Sequence, residues 1–547
     1  MMRGMFEHTF EYESRRSAVY ARRGVVAASH PLAAQTGLEV LRGGGNAADA
    51  AVATAAALAV MEPTGTGLGG DCFALYFDAS TKRVSALNGS GRSPAGLNLD
   101  VLANDGFTEE MPRYHVHAVT VPGTIAGWAD TLERFGTMGL ADVLPGAIGL
   151  AEDGSPMAPV IARLWANEEE KIRGASANGG ELLIDGRAPR TGEIWRNPGL
   201  ASVLREVAEG GPSAFYEGRA GAEIVRVSEE LGGTMTVSDL AAHRSTFEDP
   251  ISTTYRGHTI YECPPNGQGL TALIGLNIMA GYDLAELPRR SPERFHTMIE
   301  AIRLGFSEAR AHVADPAHSE VPVERLLSAE HASELRSRIR PDARLDLSRS
   351  PELAVGSDTV YFSVVDGDGN ACSFINSNYN GTGTGIVPRG CGFPLQNRGA
   401  GFSLDPLHPN VLAPNKRPYH TIIPSMITDP NGELHACFGV MGGWMQPQGH
   451  LQVAIGLLDD GLDPQAALDE PRFCIASDPP HGLVHLEEGL PEATLQALAA
   501  RGHEVERVDG IRRTGVFGKG QVILRDPQTG VLVAGSDPRA DGYAAAY

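Results

Sequence analysis

The sequence has few of the features that mark disulfide-rich, redox or membrane proteins. Its 547 residues include six scattered cysteines and no Cys-x-x-Cys pair. A zinc ribbon, a thioredoxin-type centre and a dense disulfide framework are therefore not expected. The longest apolar run, Ala47 to Met61, is too short to span a bilayer. Residues 1–23 lack the continuous apolar stretch of a signal peptide, so the cytoplasm is the expected compartment.

Several common catalytic and binding motifs are also missing. No His-Glu-x-x-His occurs, and the glycine clusters at 43–45 and 65–70 lack the Lys-Ser/Thr of a phosphate loop. The acidic stretch 366–370 lacks the glycine and the glutamate of a calcium loop, which predicts a plain hairpin turn. The 17 histidines show no metal-ligand spacing. The sequence therefore predicts neither a metal nor a cofactor.

Charge and length limit the partners and the architecture. The formal net charge of −22 argues against a nucleic-acid backbone or an anionic membrane surface as partner. Hydrophobic residues at 42% and charged residues at 20% are typical of a globular protein. At 547 residues the chain exceeds the size at which one core usually stops growing, which predicts two domains or one large layered unit.

Hydrophobic patterns and helix caps predict alternating strands and helices. Asn46 is a good N-cap, and Gly43 to Gly45 is a helix stop signal. The middle of the chain, roughly 101–350, reads as an accessory helical layer. The predicted strands are 24–28, 73–77, 360–365 and 371–376, and the predicted helices are 32–42, 47–60, 162–173, 292–311 and 328–339.

Thr359 stands where a polar segment meets a strongly apolar strand. Residues 341–358 are polar and carry two prolines, which predicts an exposed loop. The strand 360–365 is apolar on both faces, which predicts burial on both sides. A threonine hydroxyl is a poor nucleophile unless a base takes its proton, and the α-amine of an N-terminal threonine can do so. We therefore hypothesise a precursor that cuts itself between Asp358 and Thr359.

The same spacing also fits a plain hairpin after a linker, and spacing alone favours that simpler interpretation. Another pattern adds to the catalytic interpretation. The apolar strand at 439–441 ends in Gly442 and Gly443, and backbone N–H groups at such a turn can bind a developing oxyanion. This signal is weak by itself, because many strands end in two glycines.

Six segments together resemble the γ-glutamyltranspeptidase family of N-terminal nucleophile hydrolases. They occur in the family's order and are spread over nearly the whole chain: Leu41–Ala53, Glu62–Cys72, Val121–Trp128, Thr359–Ala371, Pro414–Pro424 and Phe438–Gly449. The resemblance implies an α/β fold with four αββα layers. It also implies self-cleavage into a large subunit, 1–358, and a small subunit, 359–547, and leaves open whether these pairs assemble into dimers.

The resemblance also assigns roles to particular residues. Thr359 matches the family's nucleophile, and Ser377 matches a second threonine whose hydroxyl supports the nucleophile's amine. Gly442 and Gly443 match the glycine pair whose amides form the oxyanion hole. These assignments agree with the chemistry argued from the residues alone.

The residues expected to bind substrate depart from the family pattern. Ser90 stands where an arginine holds the α-carboxylate of a γ-glutamyl group, and only Arg92 is close enough in sequence to replace it. His420 and Thr421 replace the serine pair that completes this contact. Residues 397–402 lack the acid that binds the α-ammonium, and Arg398 favours an anionic acyl group without an ammonium.

The sequence therefore predicts a threonine amidohydrolase, or acyltransferase, that forms an acyl-enzyme and hydrolyses amides of small carboxylated acyl groups. This resembles the family's branch of glutaryl-cephalosporin acylases and oxamate amidohydrolase. Glutathione hydrolysis or γ-glutamyl transfer is the alternative, because most of the family does that. A second alternative is a homologue that is not processed and serves as a scaffold. The partner expected in the catalytic case is a small-molecule amide.

Overall fold

Two stacked antiparallel sheets of seven strands each form the centre of the molecule in the computed structural model, which describes residues 16–347, 359–476 and 481–547. In spatial order, sheet I contains Tyr543–Ala546, Val25–Ala28, Val360–Val365, Ala371–Ser377, Asp71–Asp78, Arg83–Asn88 and Thr246–Glu248. Sheet II contains Val19–Ala21, Leu532–Ser536, Lys519–Arg525, Leu434–Met441, Ser425–Thr428, His258–Glu262 and Ile251–Tyr255.

Helices cover the outer face of each sheet, and an apolar layer fills the space between the sheets. The layer between them includes Phe73, Tyr361 and Met426, all of which are fully buried. On sheet I the principal helices are Pro31–Arg42, Ala47–Met61, Thr124–Phe135, Pro145–Asp153 and Pro198–Tyr216. On sheet II they are Gly269–Met279, Pro292–His312, Met445–Leu458 and Pro464–Asp469. This arrangement confirms the four-layer αββα prediction as one layered unit.

The helix Ala47–Met61 shows why small residues occupy this layer. All 15 of its residues are buried, and its many alanines let the helix approach sheet I closely. Asn46 caps it as predicted, accepting hydrogen bonds from the amides of Ala48 and Asp49. The observed bounds of this helix and of Pro31–Arg42 differ from the predicted ones by a single residue at one end.

The middle of the chain contributes more than an accessory layer. Its strands Ile251–Tyr255 and His258–Glu262 form one edge of sheet II, and its helices Gly269–Met279 and Pro292–His312 cover that sheet. The sequence pattern predicted helices here but could not reveal their packing partner. The remaining named elements include helices Pro159–Ala175, Arg219–Glu230, Ala329–Arg338 and Glu492–Ala500, and a small sheet of Phe473–Ile475, Val484–Glu487 and Val505–Val508.

The two predicted subunits are interleaved within both sheets. Val360–Val365, from the C-terminal part, lies between Val25–Ala28 and Ala371–Ser377 in sheet I. Asp358, the residue before the predicted cleavage point, lies outside the described residues. Within the described ranges, every helix is too short or too polar to cross a membrane.

Candidate active site

Thr359 lies at the start of the central strand of sheet I and is 1% exposed. The adjacent strand ends with Ser377, whose Oγ is 3.0 Å from Thr359 Oγ1. The antiparallel register pairs Val360 with Asn376, which brings the start of one strand beside the end of the other. The structure therefore joins two residues that the sequence analysis assigned to one site, although 18 positions separate them.

A glycine loop, 65–70, closes on the backbone of Thr359. A Cβ placed on Gly65 would lie 3.3 Å from both the carbonyl carbon and the oxygen of Thr359, and 3.5 Å from its nitrogen. The Gly65 carbonyl accepts a hydrogen bond from the Asn378 amide at 3.1 Å, which holds the loop in place. Glycine at position 65 therefore allows the loop to approach the candidate nucleophile closely, and phosphate binding is not needed to explain the glycine.

Substituting Gly65 by alanine is expected to lower turnover about tenfold, because the added methyl group must displace the Thr359 backbone by a few tenths of an ångström. The measurement is kcat/KM of the purified protein with an anilide substrate. Gly149→Ala is the matched control, since its Cβ would meet nothing within 4 Å. Equal rates for the two variants would contradict the close-packing argument.

Arg398 is a buried cation next to this pair. Its Nη2 donates to Ser377 Oγ at 3.1 Å and its Nη1 donates to Thr421 Oγ1 at 2.8 Å. The guanidinium carbon lies 4.1 Å from the centre of the Tyr379 ring, a cation–π geometry. Among the described residues no carboxylate forms an ion pair with Arg398, and its Nε–H has no partner. Burial lowers the pKa of Arg398 to about 10, an effect that Tyr379 and Asp71 oppose, so the group stays cationic at neutral pH.

Asp71 is a buried acid whose charge acts on Arg398, and it is already hydrogen-bonded. Its Oδ1 accepts from the amides of Gly91 and Gly123 and from Gln396 Nε2, at 2.9 to 3.1 Å. Its Oδ2 lies 3.1 Å from His420 Nε2. Burial raises the pKa of Asp71 to about 6, against the lowering effect of Arg398. At neutral pH the carboxylate is therefore ionised but close to its titration range.

His420 is oriented as a neutral donor toward Asp71. Its Nδ1 accepts from the Ile422 amide at 3.4 Å, which assigns the ring proton to Nε2. Burial lowers the pKa of His420 well below its usual value, and the charges of Arg398 and Arg417 add to this shift. His420 thus contacts Asp71, and its neighbour Thr421 is the residue that contacts Arg398.

Gly442 and Gly443 form the tight turn between strand Leu434–Met441 and helix Met445–Leu458. Both have positive φ angles, 129° and 57°, which favour glycine. Gln268 Nε2 donates to the carbonyls of Gly443 and Thr421, at 2.9 and 2.7 Å. This one side chain therefore connects the glycine turn to the residue that contacts Arg398. The turn also precedes a helix N-terminus, where backbone N–H groups and the helix dipole favour negative charge.

Ser90 and Arg92, the two other residues predicted to bind substrate, make their contacts elsewhere. Ser90 is fully buried, and its Oγ accepts from Asn266 Nδ2 at 3.1 Å while its carbonyl accepts from Arg417 Nε. Arg92 is half-buried, and its charge acts on His243 and Arg417. Within the described part of the chain, no hydrogen bond or ion pair joins the Arg92 side chain to Thr359, Ser377 or Arg398. The arginine brought to the candidate nucleophile is Arg398.

Sequence reasoning singled out Gly65 only as part of the glycine cluster 65–70, and it did not single out Asp71, Tyr379 or Gln268. Asp71 and Gly65 fall inside the matching stretch Glu62–Cys72, so the resemblance contained a signal for both. Tyr379 adopts φ 82°, which is rare for a residue with a side chain, and nothing in the sequence around it indicates this. Gln268 reaches the glycine turn from 175 positions away.

One cluster elsewhere contains metal-ligating residue types: His296, Glu300 and His503, all buried. His296 Nδ1 lies 2.8 Å from His503 Nε2, and His296 Nε2 lies 2.7 Å from the Arg340 carbonyl. Arg303 donates to Glu300 at 2.6 Å and so supplies the positive charge that a metal ion would bring. We interpret the cluster as a hydrogen-bonded anchor for the chain at Arg340.

Comparisons with known proteins show the family and the fold of this chain. A solved structure of cephalosporin acylase from Bacillus halodurans is 44% identical, with a TM-score of 0.92 over 99% of both chains. The fold is thus that of the N-terminal nucleophile hydrolases. Residues 33–547 match the gamma-glutamyltranspeptidase family, and the chain belongs to that family.

Two curated relatives are similar over almost their whole length. The glutathione hydrolase-like YwrD proenzyme of Bacillus subtilis is 39% identical over 96% of this chain and 99% of its own. The oxamate amidohydrolase proenzyme of Klebsiella pneumoniae is 34% identical over 97% of this chain and 100% of its own. The predicted family and the predicted amidohydrolase or acyltransferase class are confirmed. The roles of individual site residues remain predictions.

Proposed function

We propose that this chain is a precursor that is cleaved between Asp358 and Thr359, giving subunits of residues 1–358 and 359–547 with Thr359 as the nucleophile. Three observations support this. Thr359 directly precedes the buried strand Val360–Val365, a second hydroxyl lies 3.0 Å from its own, and a glycine loop closes on its backbone. The similar proteins YwrD and oxamate amidohydrolase are both named proenzymes.

In the mature enzyme, Thr359 Oγ attacks the amide carbonyl carbon while the Thr359 α-amine takes the hydroxyl proton. The amine then passes this proton to the leaving nitrogen as the C–N bond breaks. Water hydrolyses the resulting ester, or an acceptor amine takes the acyl group in a transfer reaction. The amides of Gly442 and Gly443 stabilise the oxyanion, which typically contributes about 3 kcal/mol per donor.

The substrate is a small acyl amide that carries a carboxylate on its acyl group. Arg398 is the observation that carries this assignment. A fully buried guanidinium without a carboxylate partner among the described residues is costly unless an anion binds to it. Its unpartnered Nε–H supplies a donor for such an anion. Oxamate, after which one relative is named, carries a carboxylate of this kind.

The direct test compares glutaryl and γ-glutamyl anilides with the same leaving group. These acyl groups differ only in the α-ammonium, and residues 397–402 offer no acid to bind it. We expect kcat/KM to be about tenfold or more higher for the glutaryl compound, because an unpaired buried ammonium costs free energy. A clear preference for the γ-glutamyl compound would favour the runner-up function, glutathione hydrolysis or γ-glutamyl transfer.

A denaturing gel distinguishes the processed enzyme from the remaining alternative, a scaffold that is not processed. Processing divides the 57.9 kDa chain into fragments of about 38 and 20 kDa by residue count. One intact band after prolonged incubation would favour the scaffold.

The raised pKa of Asp71 predicts how kcat/KM changes with pH on the acidic side. An N-terminal amine has a pKa of about 8, so kcat/KM should fall with slope one as the pH drops below that value. Below about pH 6, Asp71 also takes up a proton, loses the charge beside Arg398 and turns an acceptor into a donor. The logarithmic profile should therefore reach slope two below pH 6.

The variant Asp71→Asn is expected to keep slope one throughout, at a lower overall rate, because it has no carboxylate to titrate. Profiles of kcat/KM between pH 5 and 9 measure this. Asp130→Asn is the control, since burial also raises the pKa of Asp130 but its hydrogen bonds go to Ser245. A wild-type profile of slope one down to pH 5 would exclude the role assigned to Asp71.

A further inference from the structure

Ser377 Oγ receives two N–H donors as well as contacting Thr359. The backbone amide of Tyr379 donates to it at 2.9 Å, and Arg398 Nη2 donates to it at 3.1 Å. A hydroxyl oxygen has two lone pairs and one proton. With two N–H groups pointing at Ser377 Oγ, the Ser377 hydroxyl can donate its own proton to Thr359 Oγ1, 3.0 Å away. Donation in this direction, from Arg398 to Ser377 to Thr359, is the polarity on which the proposal depends.

The position of Arg398 in this chain is fixed from three sides. Thr421 Oγ1 accepts from the other arm of the guanidinium, and the Tyr379 ring lies flat enough beneath it for a cation–π contact. Tyr379 is held at φ 82°, and both its amide and its ring serve this cluster. Strained backbone of this kind is often found at functional sites. Binding a substrate anion does not by itself require Arg398 to donate a hydrogen bond to Ser377.

We propose that Arg398 activates the nucleophile through Ser377, in addition to binding substrate. A charge-assisted hydrogen bond into Ser377 Oγ makes the Ser377 O–H a stronger donor to Thr359 Oγ. That donor stabilises negative charge on Oγ while the Oγ–C bond forms, with the Oγ proton going to the α-amine. It acts again when the Oγ–C bond of the ester breaks and Oγ recovers a proton. Arg398 and Tyr379 are therefore positioning residues for Thr359, an inference that rests on the proposed function.

Self-cleavage offers a test that needs no added substrate. In the precursor, Thr359 Oγ attacks the Asp358 carbonyl carbon, the Asp358–Thr359 C–N bond breaks as its nitrogen takes the Oγ proton, and water then hydrolyses the resulting ester. Precursors are made by cell-free translation, and the disappearance of the full-length band gives the processing rate. The variants are Arg398→Met and Ser377→Ala, alone and combined, so that the double-mutant cycle measures their coupling. If Arg398 acts through Ser377, Arg398→Met slows processing about tenfold when Ser377 is present and less than about threefold when it is alanine.

Equal fold-changes in the two backgrounds would overturn the proposal, because Arg398 would then act independently of Ser377. The carboxylate of Asp358 is a second possible partner of Arg398 during cleavage, so the cycle is repeated in Asp358→Ala. Coupling that vanishes there also overturns the proposal. Arg398→Lys keeps a charge without the fork, and it replaces Arg398→Met in the cycle if the methionine variant shows no cooperative thermal unfolding.

Failure of this cycle leaves the proposed function intact, since that function depends on Thr359 and not on the coupling. Failure of the proposed function has a different signature, because cleavage and turnover would then survive the loss of the Thr359 hydroxyl. The two results are therefore distinguishable.

Discussion

Replacing Thr359 by alanine is expected to leave the chain at full length and to lower amide turnover by on the order of 10⁴-fold or more. The variant keeps the backbone but has no hydroxyl to attack either the Asp358 carbonyl or a substrate. The change removes a small buried group, so the fold should survive. A denaturing gel and an anilide assay on the same preparation measure both effects.

Thr359→Ser is the matched control for that experiment. Serine retains the hydroxyl and loses only a methyl group, so partial processing and partial turnover are expected. Cleavage of Thr359→Ala at the same bond would show that another group performs the cut. That result would contradict autocatalytic cleavage by Thr359.

Replacing Arg398 by methionine is expected to abolish selectivity for carboxylated acyl groups. Methionine has a similar length but no charge, so the carboxylate of a glutaryl substrate would enter a buried site without a cation. Hydrogen bonds to charged groups contribute about 1.5–3 kcal/mol each, so kcat/KM for glutaryl anilide should fall about 100-fold or more. Butyryl anilide, which has no carboxylate, should be affected far less.

The ratio of the two kcat/KM values isolates recognition from activation, because a weakened nucleophile slows both substrates. Arg417→Met is the matched control. Arg417 is also buried, and burial likewise lowers its pKa to about 10. Its hydrogen bonds, however, go to Thr246 and to the Ser90, Asn88 and Arg244 carbonyls, and it forms an ion pair with Glu248. Its glutaryl-to-butyryl ratio should equal that of the wild type. An unchanged ratio in Arg398→Met would contradict the substrate assignment.

Local patterns in the sequence were sufficient for much of the fold. The cap at Asn46, the glycine stop at 43–45 and the doubly apolar strand 360–365 each produced an element close to its predicted bounds. These features depend on neighbours within a few residues, which is why they are readable. The family resemblance supplied the order of the layers, which local pattern alone does not determine.

The contacts that define the site were harder to predict because they join distant positions. Asp71 meets Gln396 and His420 across separations of 325 and 349 residues. Among the described residues no carboxylate forms an ion pair with Arg398, and this is a property of the folded environment, since the sequence contains 67 acidic residues. Helix Pro292–His312 was predicted as a helix, but its place on sheet II depends on packing that sequence periodicity does not encode.

Intact-mass spectrometry of the active, purified protein tests the account most directly. We predict two polypeptides, the smaller of which begins with an unmodified Thr359. A fully active preparation with a single 547-residue polypeptide, in which the bond between Asp358 and Thr359 remains, would contradict the account.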